Sequence, residues 1–288
     1  RRRDYSVRWY YMDTKRHPTP GFKANAGKAV RRMIDEAPPD IIIAVDDDAQ
    51  QYVTRHYLNH PTIKIVFAGV NNEPQAYGFD RAGNVTGILE RLPLAALKES
   101  LLIAAQRNGL KLPLRIQFIG DRSETVLGDE KFFRNFDWAP LQMLDSKLVD
   151  TYGEWQQAVR ESEGKADFLI NSNYRKIARS ASDPGLVPAN ELIAWTESHS
   201  TVPVIGTNGF FAEDGGMLAI GTSPYEEGEV AAKLATEILD HGAQPKQLPF
   251  IISHKFVIAM RESAILKRHF DLPLVYEAAA RAGNKYYE

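Results

Sequence analysis

The feature that most constrains the fold is a regular alternation of short apolar runs with longer amphipathic segments. Runs such as 41–45, 64–70 and 166–170 each end in a polar turn, and segments with helical periodicity lie between them. Strands that alternate with helices form right-handed βαβ units and parallel sheets. The sequence therefore predicts an α/β fold.

One apolar run is followed by an unusually acidic turn. The segment 41–45 (IIIAV) is typical of a strand buried on both faces of a parallel sheet, and Asp46, Asp47 and Asp48 follow it directly. One hypothesis is that these residues cap the helix predicted from residue 49 and offset its dipole. The other is that their carboxylates accept hydrogen bonds from a small ligand, because ligands of open α/β sheets bind outside the carboxyl ends of the strands.

Length and composition exclude several classes of protein. A chain of 288 residues accommodates two α/β domains. The net charge of −2, with dispersed basic residues, argues against a nucleic-acid partner. Cysteine is absent, which excludes thiol catalysis, thiolate metal sites and disulfides. No window approaches the roughly 20 apolar residues that span a bilayer, so we expect no membrane span in this chain.

Sequence motifs for catalysis, cofactors and metals are missing. The glycines do not follow phosphate-loop or dinucleotide spacing, the seven histidines form no metal-ligand pattern, and no GxSxG elbow occurs. The acidic triplet lacks the alternating ligands, the central glycine and the distal glutamate of a calcium loop. We therefore predict no cofactor, no metal and no catalytic residue.

Short polar side chains recur at the predicted strand ends. Any one of them is explained by the preference of Asn and Asp for turns. Together, a surface lined by amides and carboxylates favours binding over catalysis. The candidate residues are Asp46, Asp47, Asp48, Asn71, Asn72, Asp121, Asn171, Asn173 and Asn208.

Five segments resemble the ABC-transporter substrate-binding protein family, which has the periplasmic binding protein type I fold. They are YMDTKR (11–16), AVDDDAQ (44–50), VFAGVNN (66–72), NVTGILE (84–90) and PVIGTNGFFAEDGGMLAIGTSPYEEGEVAAKLATEIL (203–239). The first four also look like the extracytoplasmic sensor domains of bacterial histidine kinases and diguanylate cyclases.

The resemblance implies two Rossmann-like lobes with parallel sheets, joined by a three-crossing hinge and closing on a ligand. We expect an N-terminal lobe of residues 1–89 plus 208–243 and a C-terminal lobe of 90–207 plus 244–288. Members of the fold begin with a strand and a helix before the segment equivalent to the predicted strand Tyr5–Met12. We therefore expect that first strand and helix to be missing from the numbered chain, with Arg1–Arg3 closing the helix.

The resemblance also implies which loops face the ligand. Asp46–Asp48, Asn71, Asn72 and Glu90 would line the first lobe's side of the cleft. The other side would be supplied by Asp121, by Asn171, Asn173 and Tyr174, and by Asn208. Small polar ligands fit such a surface, and the acidic turn suggests an amino acid or another amine.

Three functions follow as hypotheses. The first is a periplasmic or otherwise extracytoplasmic solute-binding protein that delivers a small-molecule ligand to an ABC permease. The second is the ligand-sensing domain of a histidine kinase or diguanylate cyclase, with a fused signalling module as its partner. The third, from a different class, is an enzyme of small-molecule metabolism with Asp47 or Glu90 as general base.

Overall fold

The computed structural model describes residues 4–288, so that Arg1–Arg3 and the expected end of a helix there lie outside the described residues. The helices are α1 (Pro20–Glu36), α2 (Asp47–Tyr52), α3 (Leu94–Arg107), α4 (Glu124–Asn135), α5 (Tyr152–Glu161), α6 (Ala189–His199), α7 (Phe210–Glu213), α8 (Pro224–His241), α9 (Glu262–Arg268) and α10 (Leu274–Ala282). The strands are β1 (Ile41–Val45), β2 (Lys64–Val70), β3 (Val85–Leu89), β4 (Arg115–Asp121), β5 (Gln142–Met143), β6 (Lys147–Val149), β7 (Phe168–Asn171), β8 (Ala178–Ser180), β9 (Asp183–Leu186), β10 (Val204–Gly206), β11 (Leu218–Thr222), β12 (Ile251–Ile252), β13 (Phe256–Arg261) and β14 (Tyr286–Tyr287).

The chain divides into two compact units. Unit 1 contains the residues up to Arg91 together with Pro224–Ser253, and unit 2 contains Leu92–Ser223 and His254–Glu288. The boundaries differ from those predicted. Residues 208–223 belong to unit 2 because β11 pairs with β10 and β13, and residues 244–253 belong to unit 1, where β12 pairs with β3.

Unit 1 is built on a parallel sheet in the order β1-β2-β3-β12. Successive side chains of a strand point to opposite faces, so β2 contributes to two cores. Ile65 and Phe67 pack in a cluster that includes Ile34 of α1. Val66 and Ala68 pack on the other face in a cluster with three residues of α8, which are Ala231, Leu234 and Ile238.

The two inner strands of unit 1 approach each other closely at Gly87. A Cβ atom at this position would lie 2.2 Å from the carbonyl oxygen of Phe67 and 2.5 Å from Cγ of its ring. These distances are far below van der Waals contact, and one of the two atoms belongs to the backbone. Only glycine therefore fits at position 87 without displacing β2.

Unit 2 contains a larger sheet in the order β14-β13-β11-β10-β7-β4-β5, with β6 also paired to β4. Its pairings are parallel except that of β11 with β13, which is antiparallel. Helices α3, α9 and α10 contribute to the core cluster around Phe118 and Phe168. Helices α5, α6 and α7 contribute to a second cluster around Trp155. The predicted α/β class with parallel sheets is thus confirmed.

Two local predictions are wrong. Segment Tyr5–Met12 forms no strand, and Trp9 and Tyr11 are 78% and 83% exposed. Strand β1 is not buried on both faces, since Ile43 and Val45 are 49% and 61% exposed. Apolar sequence favours a strand, but regular pairing and full burial require neighbours for both edges and both faces.

Candidate functional site

The carboxyl ends of β1, β2 and β3 meet at one edge of the unit 1 sheet, because these strands are parallel. This brings together residues that are far apart in sequence. The main-chain N–H of Asn71 donates to Asp47 Oδ2 at 3.1 Å, and Asn71 Nδ2 donates to Glu90 Oε1 at 3.2 Å. We call the group Asp46, Asp47, Asn71, Glu90 and Glu227 the acidic edge.

Asp47 is the structural centre of the acidic edge. Its carboxylate is 4% exposed and accepts hydrogen bonds from the main-chain N–H groups of Asn71 and Asn72 and from the Tyr77 hydroxyl, the last at 2.6 Å. Burial raises the pKa of Asp47, while these three donors act in the opposite direction. These hydrogen bonds of the Asp47 carboxylate are internal to unit 1. Its role in ligand recognition therefore stays a prediction.

The two neighbouring aspartates have different surroundings. Asp48 forms a 2.9 Å ion pair with Lys23, and both side chains are largely buried, which ties α2 to α1. Asp46 has a left-handed backbone with φ of 74° and accepts from the N–H of Asp47. Its carboxylate also pairs with the exposed Lys15. Of the triplet, Asp46 has the carboxylate with the most solvent access.

Two glutamates complete the acidic edge from different elements. Glu90 follows β3, and burial raises the pKa of its carboxyl although the Asn71 amide opposes the shift. Glu227 lies in the first turn of α8, is 5% exposed and accepts from the N–H of Gly69 at 2.7 Å. Burial raises the pKa of Glu227 to about 7, and the nearby Glu90 charge adds to the rise.

Glu227 and Arg91 were not predicted as parts of the site. The sequence signal at Glu227 was the acidic first turn of a helix, which the dipole alone explains. The Arg91 guanidinium donates to the main-chain oxygens of Val70, Asn71 and Glu90 at 2.8–3.1 Å. Arg91 thereby holds the segments that follow β2 and β3 together. The spacing of residues in the sequence does not predict this role. Asn72 donates through its side chain to Tyr77.

The candidates of unit 2 also lie at the carboxyl ends of parallel strands. Asp121 is the last residue of β4 and is 1% exposed. Its carboxylate accepts from the N–H groups of Ser123 and Lys176. Asn171 ends β7 and donates to the Ile119 oxygen, while its own Oδ1 has no hydrogen-bond partner among the described residues. The Thr207 hydroxyl, at the end of β10, is likewise buried without such a partner.

The remaining candidates of unit 2 stabilise turns. Asn173 Oδ1 accepts from the N–H groups of Tyr174 and Arg175, and Asn208 Nδ2 donates to the Ser172 oxygen at 3.0 Å. The Tyr174 hydroxyl donates to Asp214 at 2.5 Å, and Arg175 pairs with the same carboxylate. Burial, followed by the Asp214 contact, raises the pKa of Tyr174. The turn-forming preference of Asn explains these positions as fully as a ligand would.

Neither a metal site nor a membrane helix is found. Across residues 4–288, no group of three or more His, Asp or Glu side chains is arranged to hold a metal ion. In the same range, no helix is both long and apolar enough to cross a membrane.

Sequence comparison supports a binding function. Residues 176–275 match the model of the family described as ABC transporter substrate binding protein. No curated protein sequence matches the chain. The predicted resemblance to this family is thus confirmed over the matched residues, whereas the resemblance to sensor domains stays a prediction. The matched family consists of substrate-binding proteins, which are not enzymes, in agreement with the predicted lack of catalysis.

Solved structures of bacterial proteins share the architecture. A conserved domain protein from Vibrio cholerae O1 biovar eltor aligns with a TM-score of 0.65 at 15% identity, covering 94% of this chain and 84% of that one. A ligand-free, open substrate-binding protein with adhesive properties from Clostridium difficile aligns with a TM-score of 0.64 at 18% identity, covering 87% and 80%.

A third structure, the ABC domain in complex with L-Trp from Streptococcus pneumoniae, has a TM-score of 0.63 at 13% identity, covering 89% and 84%. The chain has the periplasmic binding protein type I fold. At these identities the likeness shows this fold and not the ligand. In open α/β sheets, ligands bind outside the carboxyl ends of the strands.

Proposed function

We propose that the protein is an extracytoplasmic solute-binding protein that captures a small polar ligand for an ABC importer. The observation that carries the proposal is the convergence of Asp46, Asn71 and Glu90 at the strand-end edge of unit 1. There the N–H of Asp46 donates to the Ala68 oxygen, and Asn71 donates to Glu90. Carboxylates and amides at such an edge bind hydrogen-bond donors with charge assistance. An amino acid or another amine supplies these donors.

The matched family supports the proposed importer and compartment. Residues 176–275 match a family of ABC transporter substrate-binding proteins, which work with a permease and are typically extracytoplasmic. The ligand-bound relative from Streptococcus pneumoniae contains L-Trp, which has both a cationic and an anionic end. A zwitterionic ligand of this chemistry could use the acidic edge of unit 1 for its ammonium group.

Thermal-shift screening of a library of small polar metabolites tests the proposal. A ligand that binds only the folded state stabilises it by about 2.7 kcal/mol at a 100-fold excess over Kd. For units of this size we expect the melting temperature to rise by about 5–10 °C. Glu90→Gln should reduce the shift, whereas the exposed Glu99→Gln on α3 should leave it unchanged.

The outcomes are distinct. A saturable shift with one ligand per chain, weakened by Glu90→Gln and not by Glu99→Gln, supports capture at the acidic edge. A library in which no compound shifts the melting temperature would overturn the proposed function. Equal responses of the two variants would show that the ligand binds elsewhere.

A further inference from the structure

Glu227 has an unusual environment for a carboxylate. Its side chain is 5% exposed, and its Oε2 is fixed by the 2.7 Å hydrogen bond from Gly69 N–H. The other oxygen, Oε1, is buried and has no hydrogen-bond partner among residues 4–288. A buried carboxylate oxygen without a donor is costly, so this atom is a site at which a donor from outside would be gained.

A second carboxylate lies beside it. Gly69 has no side chain and a φ of 60°. A Cβ atom placed there would lie 4.0 Å from Glu90 Oε2. Gly69 therefore adjoins both carboxylates, one through its N–H and one through its α-carbon. In keeping with this proximity, burial raises the pKa of Glu227 and the Glu90 and Glu226 charges add to the rise.

The neighbouring cations have other contacts. Lys15 pairs with Asp46, and its charge acts to lower the pKa of Glu90. Arg91 lowers the pKa of Glu227 through its charge, but its guanidinium donates to main-chain oxygens of Val70, Asn71 and Glu90 and lies 3.5 Å from Glu73. Glu227 Oε1 has no donor among residues 4–288, and the same residues hold no metal-binding set.

We propose that Glu227 is a further ligand-binding residue, which together with Glu90 holds the cationic nitrogen of the ligand as a protonated amine or a guanidinium. This inference rests on the proposed function and names the chemical class of its ligand. An N–H donor of that class satisfies Glu227 Oε1 while its charge offsets the two carboxylates. A neutral isostere of the same shape leaves that charge uncompensated.

The test uses matched pairs of compounds that differ in charge. These are putrescine and 1,4-butanediol, hexylamine and 1-hexanol, and butylguanidine and butylurea, each titrated calorimetrically into the full chain at pH 7.5. We expect a cationic member to bind at least 10-fold more tightly than its neutral partner. Loss of one charge-assisted hydrogen bond in Glu227→Gln should weaken that binding about 10- to 100-fold.

A pH series separates ligand contact from a structural role. Wild-type affinity for the cation should rise between pH 6 and pH 8, because ionised Glu227 binds it best, and the rise should be smaller in Glu227→Gln. Glu229→Gln is the matched control on α8, since Glu229 pairs with Lys233 on the helix surface. Glu90→Gln provides a second variant if Glu227→Gln fails to fold.

Each result decides the inference. Charge-selective binding that is lost in Glu227→Gln and kept in Glu229→Gln supports it. Equal affinity for both members of every pair, or equal behaviour of the two variants, overturns it. If only uncharged compounds of the metabolite library bind, the inference is wrong and the proposed function stands. If no compound of either charge binds, both are wrong.

Discussion

The three adjacent aspartates at the end of β1 have three different environments. Asp47 is buried and holds the neighbouring turn, Asp48 pairs with Lys23, and Asp46 caps α2 while keeping solvent access. The choice between helix capping and ligand recognition therefore has to be made for each residue separately. Asp46 is the member of the triplet that can do both.

Removal of the Asp47 carboxylate should destabilise unit 1. Asp47→Ala leaves the N–H groups of Asn71 and Asn72 and the Tyr77 hydroxyl without this acceptor. We expect the free energy of unfolding to fall by about 2–4 kcal/mol, measured by urea denaturation. Asp80→Ala, a change at a surface ion pair with Arg81, is the control and should change it by less than about 1 kcal/mol. Equal effects would contradict the assigned role of Asp47.

The carboxyl of Glu227 should make stability depend on pH. Burial raises its pKa to about 7, so the folded state binds this proton more tightly than the unfolded state, in which the pKa is near 4.5. Its contribution to stability is complete below about pH 4.5 and is lost as the pH rises through about 7. We expect the free energy of unfolding to fall over this range.

The variant Glu227→Gln separates the contribution of Glu227 to stability from those of other titrating groups. Denaturation curves of wild type and Glu227→Gln, measured side by side from pH 4.5 to 8, should diverge, with the variant losing less stability as the pH rises. Parallel curves would show that Glu227 titrates normally. The measurement needs no ligand and is independent of the proposed function.

At the scale of elements, close strand contacts matter as much as apolar pattern. Gly87→Ala would place a methyl group against the main chain and ring of Phe67, so we expect a loss of about 3 kcal/mol or more in unfolding free energy. Gly228→Ala is the matched control, because a Cβ at this exposed position of α8 meets no atom within 4 Å. It should stabilise the helix by about 0.5–1 kcal/mol. Thermal denaturation of both variants checks the contrast.

The sequence predicted most strands and helices but not their partners. The apolar runs 41–45, 64–70 and 166–170 predicted β1, β2 and β7, and the parallel arrangement followed from the alternation with helices. The segment 250–259 contains strand-like apolar residues on both sides of Ser253-His254-Lys255. It forms β12 in unit 1 and the start of β13 in unit 2, because the chain crosses between units at residues 253–254. The polar interruption coincides with this crossing, but nothing in the sequence assigns the two halves to different sheets.

The candidate site was predictable where topology alone places residues. Parallel strands bring Asp46, Asn71 and Glu90 to one edge whatever their side chains do. Glu227 reaches the same edge from α8, more than 130 residues further along the chain. In the sequence, Glu227 is explained by compensation of the helix dipole. Only the packing of α8 on β2 shows that Glu227 lies at this edge. The hydrogen bond from Tyr77 to Asp47 could not be predicted either, because Tyr77 lies 30 residues further along the chain.

At the scale of the whole molecule, each unit has its own hydrophobic clusters and its own polar strand-end edge. Residues 176–275 match a family of substrate-binding proteins. The central claim of the proposed function is therefore reversible capture of a small molecule.

Native mass spectrometry of the protein purified without added ligand tests that claim most directly. We predict a fraction of molecules carrying one small molecule per chain, which is released on mild unfolding and is recovered with unchanged mass after incubation with fresh protein. The same compound should raise the melting temperature of ligand-free protein. Conversion of the compound on incubation, or a chain that retains none and binds no polar metabolite, would contradict the account.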